Sequence, residues 1–179
     1  MSVNRIQHFL DKSNFDFGNI LTEQNLDALF EGPSVNELIE REVTKARKEG
    51  YDAAVEDYFD GIKQRVERHV KNIFTTGLNI ARACKSTLPN LSINQVRAKY
   101  SIDPNYVNML FVITASLEDQ RKFTEILSKF EIFMLNEVKI FGELFYINDK
   151  FGNVDHGVLK SESNYPFHIN VSSFLNADK

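Results

Sequence analysis

The sequence predicts an α+β fold, with long N-terminal helices folded as a helical hairpin and packed with a small mixed β-α-β-β-β sheet. Three observations predict it. Between Val35 and Cys84 apolar residues recur at three- and four-residue steps, the period of a helix. Residues 107–114 (VNMLFVIT) are apolar on both faces, as a central strand covered on two sides should be. An amphipathic segment at 117–136 and a second strand-like run at 138–147 follow with short links, which makes a βαβ unit with parallel strands.

Residues 1–33 are weakly patterned and read as a loosely ordered arm, with Ile6, Phe9 and Leu10 on one short stripe and Leu26, Leu29 and Phe30 on another. Residues 34–179 form one α+β domain, helical over 34–100 and β-α-β-β-β over 105–172. Ser34 with Glu37 is a capping box. It opens a helix carrying Val35, Leu38, Ile39, Val43 and Ala46, which Gly50 ends. Asp52 caps the next helix, whose stripe is Val55, Phe59, Ile62, Val66, Val70, Ile73, Gly77, Ile80 and Cys84. Gly61 and Gly77 are its weak points, and one of them is the expected place of a bend. So long a stripe needs a partner, either the preceding helix folded back at Gly50 or a second chain in a coiled coil. Val55, Phe59, Ile62, Val66, Val70 and Ile73 are therefore the candidate interface of a homo-oligomer.

Leu88-Pro89-Asn90 breaks the chain, and Ser92 with Gln95 forms a second capping box, predicting a short helix over 93–100 that ends at Asp103-Pro104. Ser116 caps the helix over 117–136, whose stripe is Phe123, Ile126, Leu127, Phe130, Phe133 and Met134. In the strand at 138–147 one face (Val138, Ile140, Leu144, Tyr146) is apolar, and the other mixes Phe141, Phe145 and Ile147 with Lys139 and Glu143. Turn-forming residues at 148–153 lead to a short strand near 154–159 and a last alternating strand near 165–171. One helix covers each face of the sheet, 117–136 on one side and the long N-terminal helix on the other.

Residues 77–107, GLNIARACKSTLPNLSINQVRAKYSIDPNYV, are similar in cadence to the tail helices of helix-turn-helix proteins. The same stretch resembles the C-terminal helices of Rpn-type transposase-associated nucleases. The resemblance implies helices here and transfers no catalytic residue, because no nuclease core precedes them. The segment that would read DNA, 104–115, has no basic residue and has the pattern of a buried strand.

Charge is segregated. Lys63, Arg65, Arg68, Lys71, Arg82, Lys85, Arg97 and Lys99 face a single acid, Glu67, between positions 63 and 99, whereas the flanking segments are acidic; the net charges are −7 for 1–62, +7 for 63–99 and −4 for 100–179. Such a block either binds something anionic or pairs with the acidic helix before it. The nucleic-acid candidates are Lys63, Arg65, Arg68, Lys71, Arg97 and Lys99, which would act on phosphates without reading sequence.

Other chemistry is sparse. A lone cysteine, Cys84, excludes an intrachain disulfide and reads as a small core residue. No phosphate-binding glycine loop and no nucleophile elbow occur. Asp155, His156 and His168, with Asp149 near, form the one polar cluster that sequence proximity suggests for a metal or for acid–base work, and solvated turn and strand residues explain them better. No cofactor is expected. With no apolar run long enough to span a membrane and no signal-peptide pattern, the expected location is cytoplasmic. The function that follows is a non-enzymatic protein–protein interaction protein, an adaptor, inhibitor or assembly factor using its long amphipathic helix. The alternative is a nucleic-acid-binding protein using residues 63–99, and an enzyme built on Asp155, His156 and His168 comes third.

Overall fold

The Ser34–Glu37 capping box forms. In a computed structural model, which describes residues 30–48, 56–152, 154, 155, 157, 159, 165 and 167–169, the Glu37 N–H donates to Ser34 Oγ at 3.1 Å and the Ser34 N–H to Glu37 Oε2 at 2.7 Å. Two otherwise unpaired donors are thus satisfied at the start of α1 (Val35–Lys48). Helix α1 buries Val35, Leu38 and Ala46. The Arg47 guanidinium lies 5.5 Å from the Phe59 ring centroid on α2 (Glu56–Thr87). Gly50, Asp52 and Val55, where the helices were expected to join, lie outside the described residues.

Helix α2 has 32 residues, a length of about 48 Å at 1.5 Å per residue. Its stripe is consumed within the chain: Ile62, Val66, Val70, Ile73, Ile80 and Cys84 belong to one hydrophobic cluster with the sheet, α1 and the following helix, and Phe59 packs against it. Residues from both halves of the chain thus share a core. Helix α2 continues through both of its glycines. At Gly77 a Cβ would lie 3.0 Å from Met109 Cε and 3.2 Å from Ile169 Cδ1, so the missing side chain lets α2 approach the sheet closely. Cys84 is buried, and burial pushes its thiol up to about 12, so it is an inert core residue as expected.

The sheet comprises, in chain order, β1 (Phe30–Glu31), β2 (Ser92–Ala98), β3 (Tyr106–Thr114), β4 (Phe141–Asn148) and β5 (Phe167–Ile169). Their spatial order is β1-β5-β2-β3-β4 among the described residues. The βαβ unit is present: β3 and β4 are adjacent and parallel, Tyr106 opposite Phe141 through Ile113 opposite Asn148. Between them runs α3 (Leu117–Phe133), with Ser116 Oγ accepting the Asp119 N–H. It passes into one π-helical turn, Met134–Val138. The other pairings are antiparallel, so the sheet is mixed and the class is α+β.

Three expectations need correction. Residues 92–98 form a strand, not a helix. A bulge between Ile93 and Gln95 shifts the β2–β3 register, placing Ile93 and Val96 on a three-residue spacing that imitates a helical turn. The short strand expected near 154–159 is absent where the chain is described: Gly157 and Leu159 are helical, and the Leu159 N–H donates to the Asp155 carbonyl at 3.0 Å. Third, α2 and α3 lie on the same face of the sheet. A Cβ at Gly77 of α2 would touch Met109. Phe123 of α3 meets Phe111, two residues along the same face of β3, with centroids 5.8 Å apart at 77°. On the opposite face two described residues that follow β4 meet the sheet. Arg97 Nη1 donates to the Leu159 carbonyl at 3.0 Å, and the Lys99 ammonium sits 4.8 Å from the Tyr165 ring centroid.

Candidate functional site

The fold divides the basic block into three parts. Lys63, Arg65 and Arg68 are exposed on α2, and Lys71 is half-buried. Lys63 meets Glu67 at 3.8 Å on its own helix, and Arg65 Nε donates to the Gly61 carbonyl at 3.1 Å. Arg97 is buried in the sheet, bonded to Gln95 Oε1 at 3.1 Å as well as to Leu159. Lys99 stands over Tyr165. Of the six candidates Arg97 is buried, and Arg68 and Lys71 line one cleft.

That cleft, about 490 Å³, is lined by Gln64, Glu67, Arg68, Lys71 and Asn72 of α2, by Asn105 before β3, and by Val138 and Ile140 after α3. Its walls are fixed by specific bonds. Asn72 Nδ2 donates to the Pro104 carbonyl at 2.6 Å. Asp103 Oδ1 accepts the Asn105 N–H at 2.8 Å, and the Asn105 carbonyl accepts the Phe141 N–H at 2.7 Å. The opposite wall leaves α3 by the π-turn, and Lys139 then adopts φ 61° and ψ 34°. A left-handed conformation is uncommon for a residue with a side chain, and such strained positions gather at functional sites. Lys139 Nζ donates to the Asn136 carbonyl at 2.7 Å and so caps the turn. These elements are far apart in sequence, which is why no local pattern announced the cleft.

Behind it lies His69, fully buried. Its Nε2 accepts the Ser101 N–H at 2.9 Å and lies 3.3 Å from the Lys99 carbonyl. The shorter contact places the ring proton on Nδ1 in the neutral form. The Tyr100 ring stands edge-on at 5.5 Å. Burial holds the imidazole below its ordinary pKa, against the opposing pull of the Lys99 carbonyl and the Asp103 carboxylate. The folded protein thus binds this proton less tightly than the unfolded chain does, so stability falls as pH drops below the unfolded value of about 6.5. Urea midpoints at pH 7.5 and 5.5 should show the loss, and His69→Gln should shrink the difference between them. An equal difference in the variant would assign the loss to other groups.

On the sheet face away from the helices, the paired positions form rows: Arg97–Leu110–Phe145, Gln95–Val112–Ile147 and Tyr106–Phe141. Leu110 and Val112 are buried. On β4 the same face is open, with Phe141 51%, Phe145 49% and Ile147 37% exposed, and Phe151 79% exposed just beyond. Phe141 stacks on Tyr106 at 6.0 Å and 14°. Between these apolar positions the Glu143 carboxylate accepts from the Tyr106 hydroxyl and from Asn108 Nδ2, the latter at 2.6 Å. Strand β4 is the edge of the sheet among the described residues, and Glu131 Oε1 of α3 accepts its Leu144 N–H at 2.8 Å. A carboxylate thus closes part of an edge that would otherwise be open to another strand. Sequence reasoning noted that Phe141, Phe145 and Ile147 share a face but did not treat that face as a surface. The signal was present in their alternation, but not their exposure, which the alternation does not specify.

The Asp155, His156 and His168 cluster has a different outcome. Asp155 Oδ1 accepts the Gly157 N–H at 2.9 Å, a turn-stabilising role. Asp149 Oδ1 does the same for the Val154 N–H at 3.0 Å. His168 lies opposite Arg97 in the β2–β5 register, and His156 is outside the described residues. Among the described residues no group of three or more His, Cys, Asp or Glu side chains is arranged to hold a metal ion. No helix among them is long and apolar enough to cross a membrane. Fold and sites thus stand on the chain's own geometry: no protein-family model, no curated protein and no solved structure matches it.

Proposed function

We propose that the protein is a non-enzymatic interaction module that docks a protein partner on the β4 side of its sheet. The observation that carries this reading is the row Phe141, Phe145 and Ile147, continued by Phe151, exposed beside the buried Leu110 and Val112. Large aromatic side chains grouped on an exposed surface are the usual anchors of protein interfaces. The long amphipathic helix, expected from sequence to be the interface, spends its stripe on the chain's own core, so the docking surface moves to the sheet.

The test is a paired capture from native lysate after nuclease treatment, using the wild-type chain and a Phe141→Ser/Phe145→Lys variant whose circular dichroism matches it. A protein retained by the wild type and lost by the variant supports the proposal. Retention by both overturns it, as does a wild type that holds nothing and sediments as a monomer. A concentration-dependent wild-type dimer abolished by the variant would make the partner a second copy of this chain.

Nucleic acid is the second reading, favoured by the exposure of Lys63, Arg65 and Arg68 along α2. It would bind weakly, without sequence preference, and with a steep loss in salt.

A further inference from the structure

We infer that the cleft beside α2 binds a small organic phosphate, with the phosphoryl group between Arg68 and Lys71 and the apolar body on Val138 and Ile140. This site is separate from the β4 surface and does not depend on its role. Arg68 and Lys71 are three residues apart, so they project from neighbouring positions on one helix face, and both line the cleft. Among the described residues neither forms an ion pair with a carboxylate. A planar guanidinium and an ammonium side by side suit the several oxygens of a phosphomonoester, the first through paired donors and the second as a point charge.

The rest of the lining narrows the class. A cleft of about 490 Å³ lies in the size range of small-molecule sites, about 300–1,000 Å³, and greatly exceeds what inorganic phosphate fills. Val138 and Ile140 offer apolar contact for the remainder, while Gln64 and Asn105 bring carboxamides for hydrogen bonds. Glu67 is the one acid in the wall. It leaves the lining with one net positive charge, which suits a single phosphoryl group better than a second phosphate or a polyanion. The site is also held in advance. Asn72 and His69 pin the 101–104 loop, and the π-turn with the left-handed Lys139 sets the position of Val138. A prearranged wall lowers the ordering cost that a small ligand must overcome.

Calorimetric titration of the full chain tests this with three probes: phenyl phosphate, inorganic phosphate and a short single-stranded oligonucleotide. Phenyl phosphate should saturate the protein one-to-one and bind about tenfold more tightly than inorganic phosphate, through its added apolar contact. Arg68→Gln and Lys71→Gln should each weaken it by about tenfold or more. Val138→Ser, at the half-buried apolar wall position, should reduce the preference for phenyl phosphate while leaving inorganic phosphate unchanged. Lys122→Gln on α3 should change nothing, and melting curves should show every variant folded. The proposal is overturned if phenyl phosphate fails to saturate by about 10 mM, or if the Arg68 and Lys71 variants bind it as the wild type does. It is equally overturned if the oligonucleotide binds more tightly than phenyl phosphate and loses that affinity in Lys63→Gln and Arg65→Gln, which would assign these cations to a nucleic-acid face.

Discussion

Replacing Phe111 with alanine should cost about 3–5 kcal/mol of folding stability. Phe111 is fully buried at the middle of β3. Its ring meets Phe123 edge-to-face, and Phe123 in turn meets Tyr146 of β4 at 5.5 Å and 76°. The alanine variant removes a whole ring from a core in which β3, β4 and α3 converge, and their backbones cannot close around the space while the β3–β4 ladder holds. The loss is a large part of the 5–15 kcal/mol that holds an ordinary domain together. Urea denaturation checks it: the midpoint should fall sharply with an unchanged slope, and Phe111→Leu should recover much of the loss. A midpoint shift worth less than about 1 kcal/mol would mean that the aromatic chain is not the centre of the core.

Arg97→Ala should be the next most costly change, and its effect should be local. Arg97 is 5% exposed in the sheet and reaches the Leu159 carbonyl at 3.0 Å and Gln95 at 3.1 Å. Hydrogen bonds from a charged donor contribute about 1.5–3 kcal/mol each when the partner would otherwise be stranded. The substitution should therefore release Leu159 from the sheet. Limited proteolysis should show new cleavage after residue 150 before the rest of the chain is cut. Unchanged proteolysis and unchanged binding of polyanions would leave Arg97 with neither a structural nor a phosphate-binding role.

Arg97 shows why charge alone misleads. In the sequence it belongs to a basic block and reads as a phosphate ligand; in the fold its position on β2 buries it, with its guanidinium on the Leu159 carbonyl. The residues around it were misread for a related reason. A short run apolar on both faces identified β3, one apolar face alternating with a mixed one identified β4, and the three- and four-residue periods identified α1, α2 and α3. In β2 the bulge at Ile93–Gln95 breaks the alternation, and Ser92 with Gln95 imitates a cap. The side of the sheet on which α2 packs was not legible either, since a strand apolar on both faces says that both are covered but not by what. Both candidate surfaces depend on such non-local facts. The cleft joins positions 64–72, 105 and 138–140, and the β4 row is a surface because Phe141, Phe145 and Ile147 stay exposed where Leu110 and Val112 beside them are buried.

The placement of β5 bears on how the chain is made. The last described strand lies between the first, β1, and β2, so the order of synthesis is not the order of assembly. While a ribosome is still adding residues, β2, β3, α3 and β4 can join through contacts already in hand, but β2 keeps an open edge and β1 has no neighbour. Only when Phe167–Ile169 emerges can that strand enter the gap and join the two ends of the described chain. Closing so distant a pairing is slow compared with the local steps before it. A nascent chain halted before residue 167 would present its unpaired β2 edge to chaperones and to other nascent chains alike.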